Sequence, residues 1–86
     1  MKLSLELTLI PLKKEFVPTI KLFIMRLRAL GFEIKENPLS TQIYGDFDSV
    51  MEGLIPLVKK TFQEEKAVML HLKIVKGDHS QYEPSF

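Results

Sequence analysis

The chain has 86 residues, 45% of them hydrophobic, which suits one small soluble domain. Twelve Lys and Arg stand against eleven Asp and Glu, for a formal net charge of +1, so there is no basic excess of the kind that nucleic-acid phosphates select. With no cysteine, disulfides, thiolate zinc sites, iron–sulfur clusters and a thiol nucleophile are excluded.

Residues 2–10 alternate: Leu3, Leu5, Leu7 and Leu9 are separated by Ser4, Glu6 and Thr8. Period two means a half-buried strand, and Pro11, which has no N–H to give a sheet, is expected to end it. Residues 18–30 predict a helix with Pro18 in its first turn and Ile20, Phe23, Ile24, Leu27 and Leu30 inward. Gly31 follows where a left-handed turn commonly ends a helix. Phe32 and Ile34 mark a short second strand, Asn37-Pro38 a turn, and residues 39–47 a third strand. In that strand Ile43 and Phe47 share one face, with Ser40, Gln42 and Tyr44 on the other. Gly45 marks a bulge or a close backbone approach.

A second helix starts at Asp46-Phe-Asp-Ser49, where Ser49-x-x-Glu52 fits a capping box. Val50, Leu54, Leu57, Val58 and Thr61 line its inner face, and Pro56 falls on the solvent side, where it should bend the helix. Residues 67–75 alternate again, with Val68, Leu70, Leu72 and Ile74 expected inward. The domain is taken as residues 1–76, with residues 77–86 a polar, mobile tail. No apolar run is long enough to span a membrane and no signal-peptide pattern opens the chain, so a cytoplasmic location is expected.

The order strand, helix, strand, strand, helix, strand predicts an α+β fold: a ferredoxin-like βαββαβ sandwich, with two helices on one face of a four-stranded antiparallel sheet. Right-handed crossovers place the first strand between the third and fourth. The other sheet face carries Ser4, Glu6, Thr8, Ile10, Ser40, Gln42, Tyr44, Met69, His71 and Lys73. Nothing in the chain is expected to cover it, so it is either solvated or packed against a second subunit.

Catalytic patterns are missing. His71 and His79 are the only histidines; His71 is expected opposite Glu6 as a polar cross-strand partner, and no metal site is expected. No nucleophile elbow and no Gly-rich phosphate loop is present. Glu64-Glu65 reads as a solvated helix end, and Asp46 and Asp48 as charges that suit a helix start. The fold also serves RNA binding, but only Tyr44 among the aromatics projects from the open face. A binding module is therefore expected rather than an enzyme, with no cofactor, no nucleic acid and no membrane as partner. The residues from Asn37 to Asp46 supply Ser40, Thr41, Gln42 and Tyr44, neutral polar groups such as a flat heteroaromatic ligand needs in an apolar cleft. The same residues also suit an ordinary polar strand behind a turn.

Four stretches resemble the family of small thiamine-binding proteins: Ser-Leu-Glu-Leu-Thr-Leu-Ile-Pro-Leu at 4–12, Asn-Pro-Leu-Ser-Thr-Gln-Ile-Tyr-Gly at 37–45, Asp-Phe-Asp-Ser-Val-Met at 46–51, and Lys73-Ile74 with Gly77-Asp78. The resemblance implies a ferredoxin-like fold, assembly through sheets into a homodimer or homotetramer, and binding of thiamine or its hydroxymethylpyrimidine half without catalysis, in salvage or transport. It implies ligand contacts at Ser40, Thr41 and Gln42, with Glu6, Thr8 and Pro11 matching the first strand; Asn37 and Tyr44 belong to the same central motif. Lys13-Lys14-Glu15 departs from the family's glycine-containing turn. Glu6 is expected either to meet the ligand's amino or cationic part or to pair with Lys73 or His71. The competing reading is an assembly or regulatory domain whose open sheet face makes only subunit contacts.

Overall fold

The computed structural model describes all residues, Met1–Phe86. The elements are β1 (Lys2–Pro11), α1 (Val17–Ala29), β2 (Glu33–Glu36), β3 (Thr41–Asp46), α2 (Phe47–Glu64) and β4 (Val68–Lys76). All strand pairs are antiparallel and the sheet order is β2-β3-β1-β4. This is the ferredoxin-like sandwich, with β1 between β3 and β4 as expected.

The leucine alternation does what period two requires. Leu3, Leu5, Leu7 and Leu9 are buried on one face, where they meet Phe23 and Leu27 of α1 and Val50, Leu54 and Leu57 of α2. Ile43 completes this cluster from β3. Ile24, Leu30, Ile34, Val58, Val68 and Leu70 pack around its rim. Pro11 is the last residue of β1, as its missing N–H dictates, yet it still pairs in register with Val68. Gly31 has φ +83°, the left-handed conformation that closes α1. Gly45 is a close approach: a Cβ there would lie 3.0 Å from the Val50 Cγ2 methyl.

Several expectations are corrected. Phe47 is not a strand residue; it opens α2 and is exposed. The cap of α2 is Asp46, three residues before Ser49, and its carboxylate accepts from the Ser49 N–H at 3.2 Å. Aspartate at this position suits the dipole as well as the orphan donor, and the Ser49/Glu52 box is not used. Leu72 and Ile74 point to the helix side of the sheet but stay exposed, because β4 is an edge strand beyond the helices' reach. Glu64 and Glu65 are not merely solvated. Arg26 grips Glu64 through two hydrogen bonds of 2.6 and 2.9 Å, lashing α1 to α2. Glu65 accepts from Thr19 and pairs with Lys13.

The Asp46 cap makes a pH prediction. The hydrogen bond from the Ser49 N–H holds the Asp46 carboxyl below its ordinary value. The folded state therefore binds fewer protons here than the unfolded chain. The cap's contribution is full above the usual carboxylate range, near pH 4, and is lost as pH falls through the lower folded value. Asp46→Ala should lower the thermal midpoint at pH 7. Asp46→Asn, which keeps the acceptor, should lower it less and flatten the acid limb of a stability–pH curve measured by circular dichroism. An unaltered acid limb in both variants would contradict the cap.

Residues 77–80 are part of the fold rather than a mobile tail. Gly77, at φ +97°, turns the chain back over the open sheet face. Ser4 pins the segment: its hydroxyl donates to the Gly77 carbonyl at 2.8 Å and accepts from the His79 N–H at 2.9 Å. The Lys35 ammonium donates to the Ser80 carbonyl, and the Ser80 N–H donates to the Asp78 carboxylate at 2.9 Å. Ser4 and Ser80 are buried as a result, at 7% and 6% exposure. The open face is thus partly covered by the chain itself. Ser4→Ala should cost on the order of 1 kcal/mol and speed amide exchange at His79 and Ser80. Unchanged exchange at both amides would show that Ser4 does not hold the strap.

Candidate functional site

Strand alternation divides the expected site residues between the two faces of the sheet. Ser40, Gln42, Tyr44 and Glu6 meet on the open face. Ser40 donates to the Glu6 carboxylate at 2.9 Å, Gln42 stands opposite Glu6 in the β1–β3 ladder, and the Tyr44 hydroxyl donates to the Gln42 carbonyl at 2.7 Å. Lys73 lies 3.8 Å from Glu6 and faces it across the β1–β4 ladder. His71 instead faces Thr8, two residues from its expected partner. The Lys35 ammonium sits 5.4 Å from the centre of the Tyr44 ring. Burial, reinforced by the negative charges of Glu33, Asp78 and Glu6, raises the Tyr44 phenol above its ordinary value, so it stays a donor. Ser4, Glu6, Gln42, Tyr44, Lys73 and His79 line a depression of about 170 Å³ beside the strap. Its polar groups are largely engaged with one another.

Thr41 does not join them. It is on the helix side with Leu7 and Ile43, for the same reason that Ser40 and Gln42 are not. There it lines a cavity of about 240 Å³ between α1, β1 and the turn from Glu36 to Ser40. The apolar wall is Leu7 and Leu9 of β1 with Ile20, Phe23 and Ile24 of α1. The polar edge is Thr8, Glu36, Asn37, Ser40 and Thr41. The roof is pinned by the Asn37 N–H donating to the Ser40 carbonyl at 2.9 Å and by the Thr8 hydroxyl donating to the Leu39 carbonyl at 3.2 Å.

Thr41 is only 5% exposed, yet its hydroxyl has no hydrogen-bond partner in the chain, unlike Ser4, Thr8, Thr19, Ser40 and Thr61. Every fully enclosed side-chain nitrogen or oxygen is paired, so the remaining exposure of this oxygen is to the cavity it lines. A hydroxyl so placed is free to pair with whatever occupies the cavity. Glu36 is directly across the β2–β3 ladder from Thr41. Its carboxylate takes two hydrogen bonds of 2.7 Å from Arg28, which hold it below its ordinary pKa and keep it ionised. Neither Glu36 nor Arg28 stands out in the sequence as a site residue; the register that joins Glu36 to Thr41 across the turn is the signal that finds it.

The structure therefore brings Asn37, Thr41 and Thr8 to one cavity and Glu6, Gln42 and Tyr44 to the open face, with Ser40 at the edge between them, lining the cavity while its hydroxyl bonds Glu6. Pro11 lies at the end of the sheet beside Val68 and lines neither.

No family model matches this sequence, and no curated protein matches it. Solved structures do. A Streptococcus pneumoniae protein is similar at 26% identity and a TM-score of 0.83, over 94% of this chain and 92% of its own. A Thermotoga maritima protein, provisionally named a thiamine biosynthesis/salvage protein, has 20% identity and a TM-score of 0.80, over 90% and 85%. A domain of unknown function from Bacillus cereus has 15% identity and a TM-score of 0.72, over 99% and 79%. These likenesses show a shared ferredoxin-like fold.

Proposed function

We propose that this protein binds, without transforming, a small flat heteroaromatic molecule in the cavity between α1 and the β2–β3 turn, and that the molecule is thiamine or its hydroxymethylpyrimidine half. The observation that carries this reading is the Thr41 hydroxyl, without a partner in the chain, in a cavity with one apolar wall and room for one ring. Apolar walls with a few convergent polar groups are what such ligands need. The resemblance of the central motif and the name of the Thermotoga maritima neighbour favour thiamine among flat heteroaromatics. The resemblance and that neighbour's name favour a role in salvage or transport of the vitamin.

Calorimetric titration with thiamine, hydroxymethylpyrimidine and the thiazole half tests the proposal. Heat with the first two but not the third is expected, together with a raised melting temperature, since a ligand that binds only the folded state stabilises it. No heat and no melting shift at millimolar ligand would overturn it.

A second reading concerns assembly and is favoured by one observation. On the unpaired edge strand β4, Met69, Leu72, Ile74 and Val75 are between 38% and 49% exposed. An edge that is apolar on both faces invites another strand. Self-association into a dimer or tetramer would cover it. Light scattering across a hundredfold range of protein concentration checks this, and a monomer throughout would exclude it.

A further inference from the structure

Resting on the ligand-binding reading above, we infer that Glu36 and Thr41 form a two-point reader that makes the cavity specific for a ring carrying an amino group beside a ring nitrogen, with Arg28 as the positioning residue.

The two side chains are directly opposed across the last rung of the β2–β3 ladder, on the same face of the sheet. Opposed residues of an antiparallel pair have Cβ atoms about 4.5–5.5 Å apart. Both line the cavity, and neither is hydrogen-bonded to the other. Their chemistry is unlike. An ionised carboxylate only accepts, whereas a hydroxyl with no other partner is free to donate. The pair therefore offers an acceptor and a donor side by side on one wall of the cavity.

A 4-aminopyrimidine edge presents the complement: an exocyclic N–H to donate and an adjacent ring nitrogen to accept. The corresponding 4-oxo ring reverses both positions, placing a carbonyl oxygen against the carboxylate and a ring N–H against the hydroxyl. Held in the same orientation, the oxo ring sets its carbonyl oxygen against a carboxylate that can only accept, whereas the hydroxyl can accept from the ring N–H, so the discrimination rests on Glu36.

Arg28 makes the reader rigid. Its guanidinium holds both Glu36 oxygens in a bidentate fork at 2.7 Å, leaving each oxygen a second lone pair. Arg28 itself does not line the cavity. The ion pair also keeps Glu36 charged wherever the protein is folded near neutral pH.

The experiment is a calorimetric comparison of thiamine with oxythiamine, its 4-oxo counterpart, and of 4-aminopyrimidine with 4-hydroxypyrimidine, on the wild-type chain, Glu36→Gln and Arg28→Met. The wild type is expected to prefer each amino ring by roughly 10- to 100-fold, the range for a hydrogen bond to a charged group. Glu36→Gln should erase that preference, because its amide can offer either a donor or an acceptor. Arg28→Met should reduce the preference while leaving thermal stability little changed, a split that a purely structural ion pair would not produce. Equal wild-type affinity for amino and oxo rings, or an intact preference in Glu36→Gln, would overturn the inference while leaving ligand binding standing. No binding of any of the four compounds would overturn the inference and the ligand-binding reading together.

Discussion

Replacing Phe23 by alanine should lower the stability of this domain by about 3–5 kcal/mol. The reason is burial: Phe23 is the bulkiest of the fully enclosed side chains, set where α1 meets the leucines of β1. Domains of this size are stable by roughly 4–13 kcal/mol in all, so the loss takes a large share of the total. Because Phe23 also walls the cavity, the void left behind merges with existing space, and little relaxation is available to fill it. Urea unfolding followed by circular dichroism reads the effect. Leu22→Ala is the matched control. Leu22 precedes Phe23 by one residue, faces solvent, and should change stability by less than about 0.5 kcal/mol. Similar losses in the two variants would contradict the assignment of the core face of α1.

Thr41→Val should do little to stability and a great deal to binding. Valine keeps the shape of threonine and removes only the hydroxyl. In the free protein that hydroxyl has no partner within the chain, so its removal should leave stability little changed. If the hydroxyl donates to a ring nitrogen of thiamine, affinity should fall by roughly tenfold or more. A paired measurement, thermal midpoint and thiamine titration on the same preparation, separates the two effects. Lost stability with unchanged affinity would mean that Thr41 is a structural residue and not a ligand contact.

Much of the fold is legible in the sequence because its signals are local. The four alternating leucines, the glycine after α1 and the alternation from Val68 each need only neighbouring residues to be read. What escapes is set by contacts between residues far apart. The strap is fixed by Ser4 bonding to Gly77 and His79, 73 and 75 positions away, and nothing in a polar decapeptide announces that. The Arg26–Glu64 clamp spans 38 positions and looks, from either end alone, like solvated charge. The alternation alone sets His71 opposite Glu6 rather than Thr8, because register depends on where β4 begins, and Pro11 stays in the ladder opposite Val68.

The candidate site was half legible for a different reason. Ser40, Thr41 and Gln42 are consecutive and look like one cluster, but consecutive strand residues face opposite ways. The period-two rule that identified β1 also separates Thr41 from its neighbours, and it pairs Thr41 with Ile43 on the inner face. Glu6 similarly found Ser40 and Lys73 as partners on the open face, the structural alternative to a ligand contact. Glu36 carries no motif of its own. It becomes a site residue only when the hairpin register brings it opposite Thr41.

A ligand between α1 and the β2–β3 turn should perturb the backbone amides around it. NMR spectra recorded while thiamine is added should show saturable shifts concentrated at Ile20, Phe23, Ile24, Asn37 and Leu39–Thr41, with the amides of His79 and Ser80 left in place. Shifts confined to Glu6, Tyr44, Lys73 and His79 would move the site to the open face, and a spectrum unchanged at millimolar thiamine would exclude thiamine binding.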